Sequence, residues 1–296
     1  MHAGLAFQAR PHSNGRRGAR LTAAAALAVL GGLFGQPAAA QLPQGQPLPA
    51  VTELVSSSSA ELAGNEDSSD PSVDAAAFLI AFESRASNLV PNDTNDPTPG
   101  QIGGGKDVFV RDQQAGTTTR VSVRSNGAQA TGRDSSSPAI SADGRWVAFA
   151  SGATNLVNND VNDSDDVFLH DRVSGATRLA SRSTTGEQAS TGSLSPAISA
   201  DGRWVAFTSR AANLVPSDTN NDFDVFRYDR VTQSTGRFSL TTSGGQTAPG
   251  GSSDSPTISA DGSKIAFDSD ATNMGPANGL ITHDVFLRRP DPEVAA

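Results

Sequence analysis

The chain has 296 residues, 36% of them hydrophobic, with 29 glycines. That is a globular composition and excludes wholesale disorder. Lys+Arg number 22 against 31 Asp+Glu, a net charge of −9. Setting aside the four arginines of a removable leader leaves 18 basic against 31 acidic residues, or −13. A field of that sign repels phosphate backbones, which argues against nucleic acid and anionic membranes as partners. With no cysteine, disulfides, thiolate chemistry, Cys-zinc sites and a lipidated N-terminal cysteine are excluded.

The leader comes first. Residues 1–20 are basic, with Arg10, Arg16, Arg17 and Arg20. Leu21–Phe34 is an apolar run of 14 residues, and Ala38-Ala39-Ala40 precede Gln41. That order describes a secretory signal peptide over residues 1–40, cleaved after Ala40. As a helix the run rises about 21 Å, short of the roughly 30 Å hydrocarbon core, so no membrane span is expected. Arg16-Arg17 hints at twin-arginine export, although Gly18, Ala19 and Arg20 fit that signal poorly. Residues 41–51 read as a Pro/Gln-rich spacer. The expected location is periplasmic or secreted.

Internal repetition dominates the rest. SSPAISADGRWVAFAS begins at Ser136, SLSPAISADGRWVAFTS at Ser193 and SDSPTISADGSKIAFDS at Ser253. A degenerate copy, DPSVDAAAFLIAFES, begins at Asp70. Pro71, Pro138, Pro196 and Pro256 anchor four units. Each reads as four short strands, a to d: Ser137–Ser141, Trp146–Ser151, Asp166–Asp171 and Thr177–Ser181 in the second unit. The Asp-Gly pairs at Asp143-Gly144, Asp201-Gly202 and Asp261-Gly262 mark the a–b hairpins. Val147 and Phe149 share one face of strand b, and Ala148 lies on the other. Both faces are apolar, so both must be covered. Sheets stacked on both sides at this period predict an all-β fold, a β-propeller of four four-stranded blades over residues 52–296.

The last unit lacks a strand d, and the chain carries a surplus strand at Thr52–Ser56. Thr52 lies 19 residues before Pro71, the spacing of Thr119 to Pro138 and of Thr177 to Pro196. The N-terminal strand is therefore expected to complete the last blade and close a monomeric ring without sheet edges. An open piece pairing with a second chain is the alternative.

The SPxISxDGxxxAF unit resembles the WD-repeat-like units of TolB-type propeller proteins, over about residues 52–289. The resemblance implies an envelope or secreted binding scaffold. TolB proteins carry an N-terminal α/β domain and six blades and bind a peptidoglycan-associated lipoprotein. This chain has neither that domain nor six units, so that partner is not carried over.

Alternating strand directions send loops b→c and d→a to one end of the ring, and those loops are long and polar. A protein or glycan ligand is expected there. Two b→c loops place oxygen donors at alternate positions: Asp160, Asn162, Ser164 and Asp166, then Asp218, Asn220, Asp222 and Asp224. This pattern suits a hard cation, and weak Ca²⁺ binding, in the range of about 10⁻⁴–10⁻³ M, is an expectation for both. An EF-hand is excluded, because Asp166–Asp171 and Asp224–Asp229 are extended and no glycine occupies the sixth position. The competing reading is turn chemistry, for Asp and Asn are turn formers. The last Asp recurs as Asp107, Asp166, Asp224 and Asp284, which points to a structural role at the strand start.

No Gly-x-Ser-x-Gly elbow, paired-histidine metal motif or phosphate loop is present. His170 aligns with Arg111, Tyr228 and Arg288, an interchangeable set expected to face solvent, and His283 is expected at the surface. Trp146 and Trp204 read as blade packing. Gln129, Gln188 and Gln246 recur in d→a loops, where they either bond a ligand or satisfy loop backbone. The expected function is a non-enzymatic binding scaffold. A hydrolase or lyase acting on an extracellular polymer is the alternative, and it needs an acid/base pair at the channel.

Overall fold

The computed structural model describes residues 51–95, 105–275 and 283–289. The expected signal peptide, its cleavage point and residues 41–50 of the spacer lie outside them. Strands form four antiparallel sheets, each built from one sequence unit. The first holds β1 (Ser68–Val73), β2 (Leu79–Ser84), β3 (Asp107–Asp112) and β4 (Thr117–Arg120). The second holds β5 (Ser135–Ile140), β6 (Trp146–Ser151), β7 (Asp166–Asp171) and β8 (Ala176–Leu179). The third holds β9 (Ser193–Ile198), β10 (Trp204–Ser209), β11 (Asp224–Asp229) and β12 (Ser234–Arg237). The fourth has three strands, β13 (Ser253–Ile258), β14 (Ile265–Ser269) and β15 (Asp284–Arg288). These are the blades. Their first strands follow one another on the inner side, β1 beside β5, β5 beside β9 and β9 beside β13. Among the described residues no helix is long and apolar enough to cross a membrane.

The Ser-Pro step has a specific use. In the second blade Ser136 pairs with Ala150 and Ala139 with Ala148, so Ser137 and Pro138 together oppose Phe149. This is a β-bulge, repeated in every blade. Proline lacks an N–H and is tolerated where the ladder is already broken. The residue before it takes a positive φ each time: Asp70, Ser137, Ser195 and Ser255, at 50–53°.

Strand alternation decides the packing. Val147, Phe149 and Phe168 face the first blade, against Ala81, Val108 and Val110. Ala148, Val167 and Leu169 face the third, against Val205, Phe207 and Phe226. Within each blade the strand b and strand c phenylalanines meet, as Phe149 and Phe168 do with centroids 5.8 Å apart. The Asp-Gly turns add contacts between blades. Gly202 has φ +66°, and a Cβ there would lie 2.2 Å from Trp146 Cδ1 of the preceding blade. Gly262 stands in the same relation to Trp204. Trp146 is further enclosed by Arg230, 3.9 Å from its ring centroid. The tryptophans are packing residues, as expected.

The expected closure is not seen among the described residues. Thr52–Val55 belong to no strand, and Val55 packs on Phe82, Ala86, Leu89 and Phe109 of the first blade. The segment still behaves as the tail of a preceding blade. Its Ser57–Ala63 bridge matches Val123–Gln129, Arg182–Gln188 and Leu240–Gln246. Thr118 Oγ1 donates to Ser57 O, as Thr177 does to Val123 O and Thr235 to Arg182 O. At the far end Val285 and Leu287 are 80% and 58% exposed, whereas Val167 and Leu169 at those positions are 0% and 1% exposed. The register inferred from spacing is therefore present on the first blade, but its pairing with β15 is not. Blade-to-blade contacts are local, and each sheet sets only the angle to the next.

Candidate functional site: the long-loop face

Two recurrent side chains tie the loops together. Asn155, early in a b→c loop, donates from Nδ2 to Gln129 O (2.8 Å) and accepts Thr131 N–H at Oδ1 (2.9 Å). Asn213 repeats this on Gln188 O and Ser190 N, and Asn273 on Gln246 O and Ala248 N. Asn88 does the same to Ala63 O and Asn65 N. Each asparagine thus satisfies both backbone groups of the preceding blade's d→a loop, a reach that a carboxylate or an aliphatic side chain cannot copy.

The glutamines act within a blade. Gln188 Nε2 donates to Asp160 Oδ1 and Asp166 Oδ2, both at 2.7 Å, while its Oε1 accepts Val161 N–H (3.1 Å). Gln129 Nε2 reaches Asp93 (2.7 Å) and Asp107 (3.3 Å), and Gln246 Nε2 reaches Asp218 (3.0 Å). Gln129 and Gln246 also accept the backbone N–H of Thr94 and Thr219. They satisfy loop backbone, one of the two uses expected, and also engage the acidic residues.

The structure brings Asp160 and Asp166 together around Gln188. Asp166 is fully buried at the start of β7, accepting Ser181 Oγ–H at 2.7 Å. Burial pushes its carboxyl up to about 6, and the charge of Asp160 adds to the rise, against hydrogen bonds from Ser181 and Gln188. Asn162 donates to Ala189 O (2.9 Å), accepts Ser164 N–H (3.1 Å) and also hydrogen-bonds Asp166, which favours the ionised form of that carboxyl. Ser164 Oγ donates to Asn162 O (3.1 Å). In the third blade Asp218 and Asp224 enclose a guanidinium: Arg237 Nη1 lies 3.3 and 3.4 Å from them. Asn220 Nδ2 donates to Asp224 (3.3 Å) and Thr247 Oγ1 (2.9 Å), and Asp222 accepts Gly250 N–H. The first blade repeats the theme, with Arg120 Nη1 at 2.9 Å from Asp93 and 3.0 Å from Asp107. Arg120, Leu179 and Arg237 occupy one register position, opposite Phe109, Phe168 and Phe226. The second blade therefore holds a carboxylate pair with leucine where its neighbours hold arginine. Among the described residues no three His, Asp or Glu side chains converge as a metal site. Aligning the strand d residue with the acidic loop would have revealed the arginines from sequence.

The recurrent last Asp has the structural role inferred for it. Asp107, Asp166 and Asp224 accept from Ser122, Ser181 and Ser239 of strand d. Those serines in turn accept the N–H of Val108, Val167 and Val225.

The set Arg111, His170 and Tyr228 corrects an expectation. All three are buried, 2–5% exposed, rather than facing solvent. They lie in the gap toward the preceding blade. Arg111 donates to Ser58 O and Gly116 O, both at 3.1 Å. His170 Nδ1 lies 2.9 Å from Thr177 Oγ1. Since that hydroxyl gives its hydrogen to Val123 O, the imidazole is the donor and carries its proton on Nδ1. His283 is exposed as expected, 3.3 Å from Asp268. The buried acid Glu83 is held by Lys106 Nζ (2.7 Å), Ser69 Oγ (2.8 Å) and Ser137 N–H (3.0 Å). Burial raises its carboxyl, but Lys106 and the other donors outweigh this and keep it below its ordinary value.

No family model matches the sequence, and no curated protein matches it. Among solved structures the chain is similar to TolB from Acinetobacter baumannii, at 18% identity and TM-score 0.44, covering 77% of this chain and 42% of that one. It is similar to the β-propeller domain of the Trilobed protease from Pyrococcus furiosus, at 12% and 0.43, covering 76% and 55%. It is also similar to the Pyrococcus horikoshii acylaminoacyl peptidase, at 14% and 0.41, covering 76% and 31%. The chain thus spans less than two thirds of each. With its repeat units each folded into one blade, this chain is in fold an all-β propeller of four blades, the fourth described with three strands.

Proposed function

We propose that this protein is a non-catalytic, extracytoplasmic binding scaffold whose long-loop face takes a protein or glycan partner. The observation that supports this is the clamping of the loops. Asn155, Asn213 and Asn273 fasten each b→c loop to its neighbour, while tip residues such as Val161, Asp163 and Ser217 stay exposed. Loops held in place before contact lose little entropy on binding. The acidic charge favours a basic partner and a salt-sensitive association. Glu83, held below its ordinary value by Lys106 and its other donors, is a poor general acid at neutral pH. Ca²⁺ enters this reading at the second blade, where no guanidinium separates Asp160 from Asp166.

The test is binding of the purified protein to immobilised cell-envelope proteins and polysaccharides at two salt concentrations, in EDTA and in millimolar Ca²⁺. Val161→Asp with Ser217→Asp should abolish binding, and the opposite-face pair Val173→Asp with Val231→Asp should leave it intact. Ca²⁺ should raise the thermal midpoint of the protein but not of Asp160→Asn. Loss with the opposite-face pair alone, or shortening of a polysaccharide during the assay, overturns the scaffold reading. A midpoint indifferent to Ca²⁺ removes the ion.

A further inference from the structure

Cavities of about 500 and 570 Å³ open at the gaps between the first and second and the third and fourth blades, and the gap between the second and third blades is distinguished by its lining. It contains a cavity of about 480 Å³, lined among others by Arg178, Leu179, Arg182, Asn158, Tyr228 and Gln233. That volume is in the range of small-molecule sites. Elsewhere the position of Tyr228 is used to satisfy the chain: Arg111 reaches Ser58 O, His170 meets Thr177 and Arg288 reaches Thr241 O. Tyr228 makes no such bond among the described residues, and its ring borders the cavity.

Two arginines line this cavity. Arg85, Arg111, Arg120, Arg145, Arg203 and Arg237 all pair with carboxylates. Arg178 and Arg182 show no such ion pair among the described residues, and both line the cavity together with Tyr228. Asp229, next to Tyr228 in the chain, is clamped by Arg203 at 2.8 and 3.0 Å. Arg182 Nε is buried without a hydrogen-bond partner. Its Nη2 lies over the turn at Gly186 (φ +93°), where a Cβ would approach to 2.5 Å. In the gap between the first and second blades the cation Arg124 is already engaged by Asn155 O (3.4 Å) and Asn158 Oδ1.

We infer that this cavity binds a small hydroxylated oxyanion of sugar-acid type, its carboxylate on Arg178 and Arg182 and its hydroxyls on Tyr228, Gln233 and Asn158. Two guanidinium groups match a carboxylate through charge-assisted hydrogen bonds. The amides and the phenol supply donors and acceptors for hydroxyls, and Leu179 offers an apolar wall to a ring. The site adjoins the long-loop face, since Asn158, Asn159 and Gln188 line it.

Calorimetric titration with glucuronate, glucose and inorganic phosphate tests this. Glucuronate should bind, and glucose should bind at least about tenfold more weakly, because one charge-assisted pair is worth about that factor. Arg178→Gln and Arg182→Gln should each weaken glucuronate about tenfold or more, and Tyr228→Phe should weaken it by a smaller factor. Arg178 is exposed, so its variant keeps the test valid if Arg182→Gln fails to fold. Equal affinity for glucose and glucuronate, or unchanged glucuronate binding in Arg178→Gln, overturns the inference. Phosphate binding without glucuronate binding overturns the sugar-acid assignment.

Discussion

At the scale of single residues, the position shared by Arg111, His170, Tyr228 and Arg288 carries the clearest lesson. Interchange among chemically different side chains looked like solvent exposure. The position instead faces the preceding loop, where Arg111, His170 and Arg288 each find a hydrogen-bond partner and the Tyr228 ring packs among apolar side chains. His170 makes the cost measurable. Burial lowers its pKa from 6.5 to about 4. An unfolded histidine takes up a proton below pH 6.5, whereas the folded one stays neutral until about pH 4. Stability is therefore full above 6.5 and falls as pH drops through that window, by about 3 kcal/mol from this residue. Urea unfolding of the protein and of His170→Gln should show a gap that shrinks by roughly that amount between pH 7 and pH 4. A pH-independent gap would refute the buried neutral imidazole.

At the scale of elements, the Asp-Gly hairpin does two jobs, and only one was legible beforehand. Asp143-Gly144 and its copies were recognised as turns, because glycine accepts the positive φ that such turns require. The second job is contact with the preceding blade, where Gly202 leaves no room above Trp146. Arg230 closes the other approach to that ring, so it cannot retreat. Gly202→Ala should therefore cost about 2–4 kcal/mol, combining backbone strain with a steric clash. Gly175→Ala is the matched control: φ is +73° but nothing lies within 4 Å of a Cβ. It should cost about 1–2 kcal/mol from backbone conformation alone. Equal shifts in denaturation midpoint would mean that the inter-blade contact contributes nothing. The acidic loops show the same division. Asp160, Asp166, Asp218 and Asp224 were legible as a spaced set of oxygens, whereas the guanidinium that enters beside Asp218 and Asp224 comes from strand d, across a hairpin.

At the scale of the whole molecule, the described blades form an open series. One end shows β15 with Val285 and Leu287 exposed. The other shows Thr52–Val55 unpaired, with Val55 on the first blade's aromatic cluster. Hydrogen exchange tests this directly. The outward amides of β15 should exchange as fast as those of a free edge, while those of β7 and β11, each flanked by a fourth strand, should be protected. Strong protection of both β15 and Thr52–Ser56 would show that the ring closes in solution.

What the sequence by itself determined is local and periodic. Four units, their hairpins, the apolar alternation on both faces and the structural role of the last Asp all follow from rules linking residues a few positions apart, repeated at a steady period. Tertiary structure alone decided that Arg111, His170 and Tyr228 are buried and where the ends of the described blade series lie. Those outcomes depend on side chains from different strands and blades meeting in space. The angle between adjacent blades is set by packing at each interface, and no spacing between prolines encodes it.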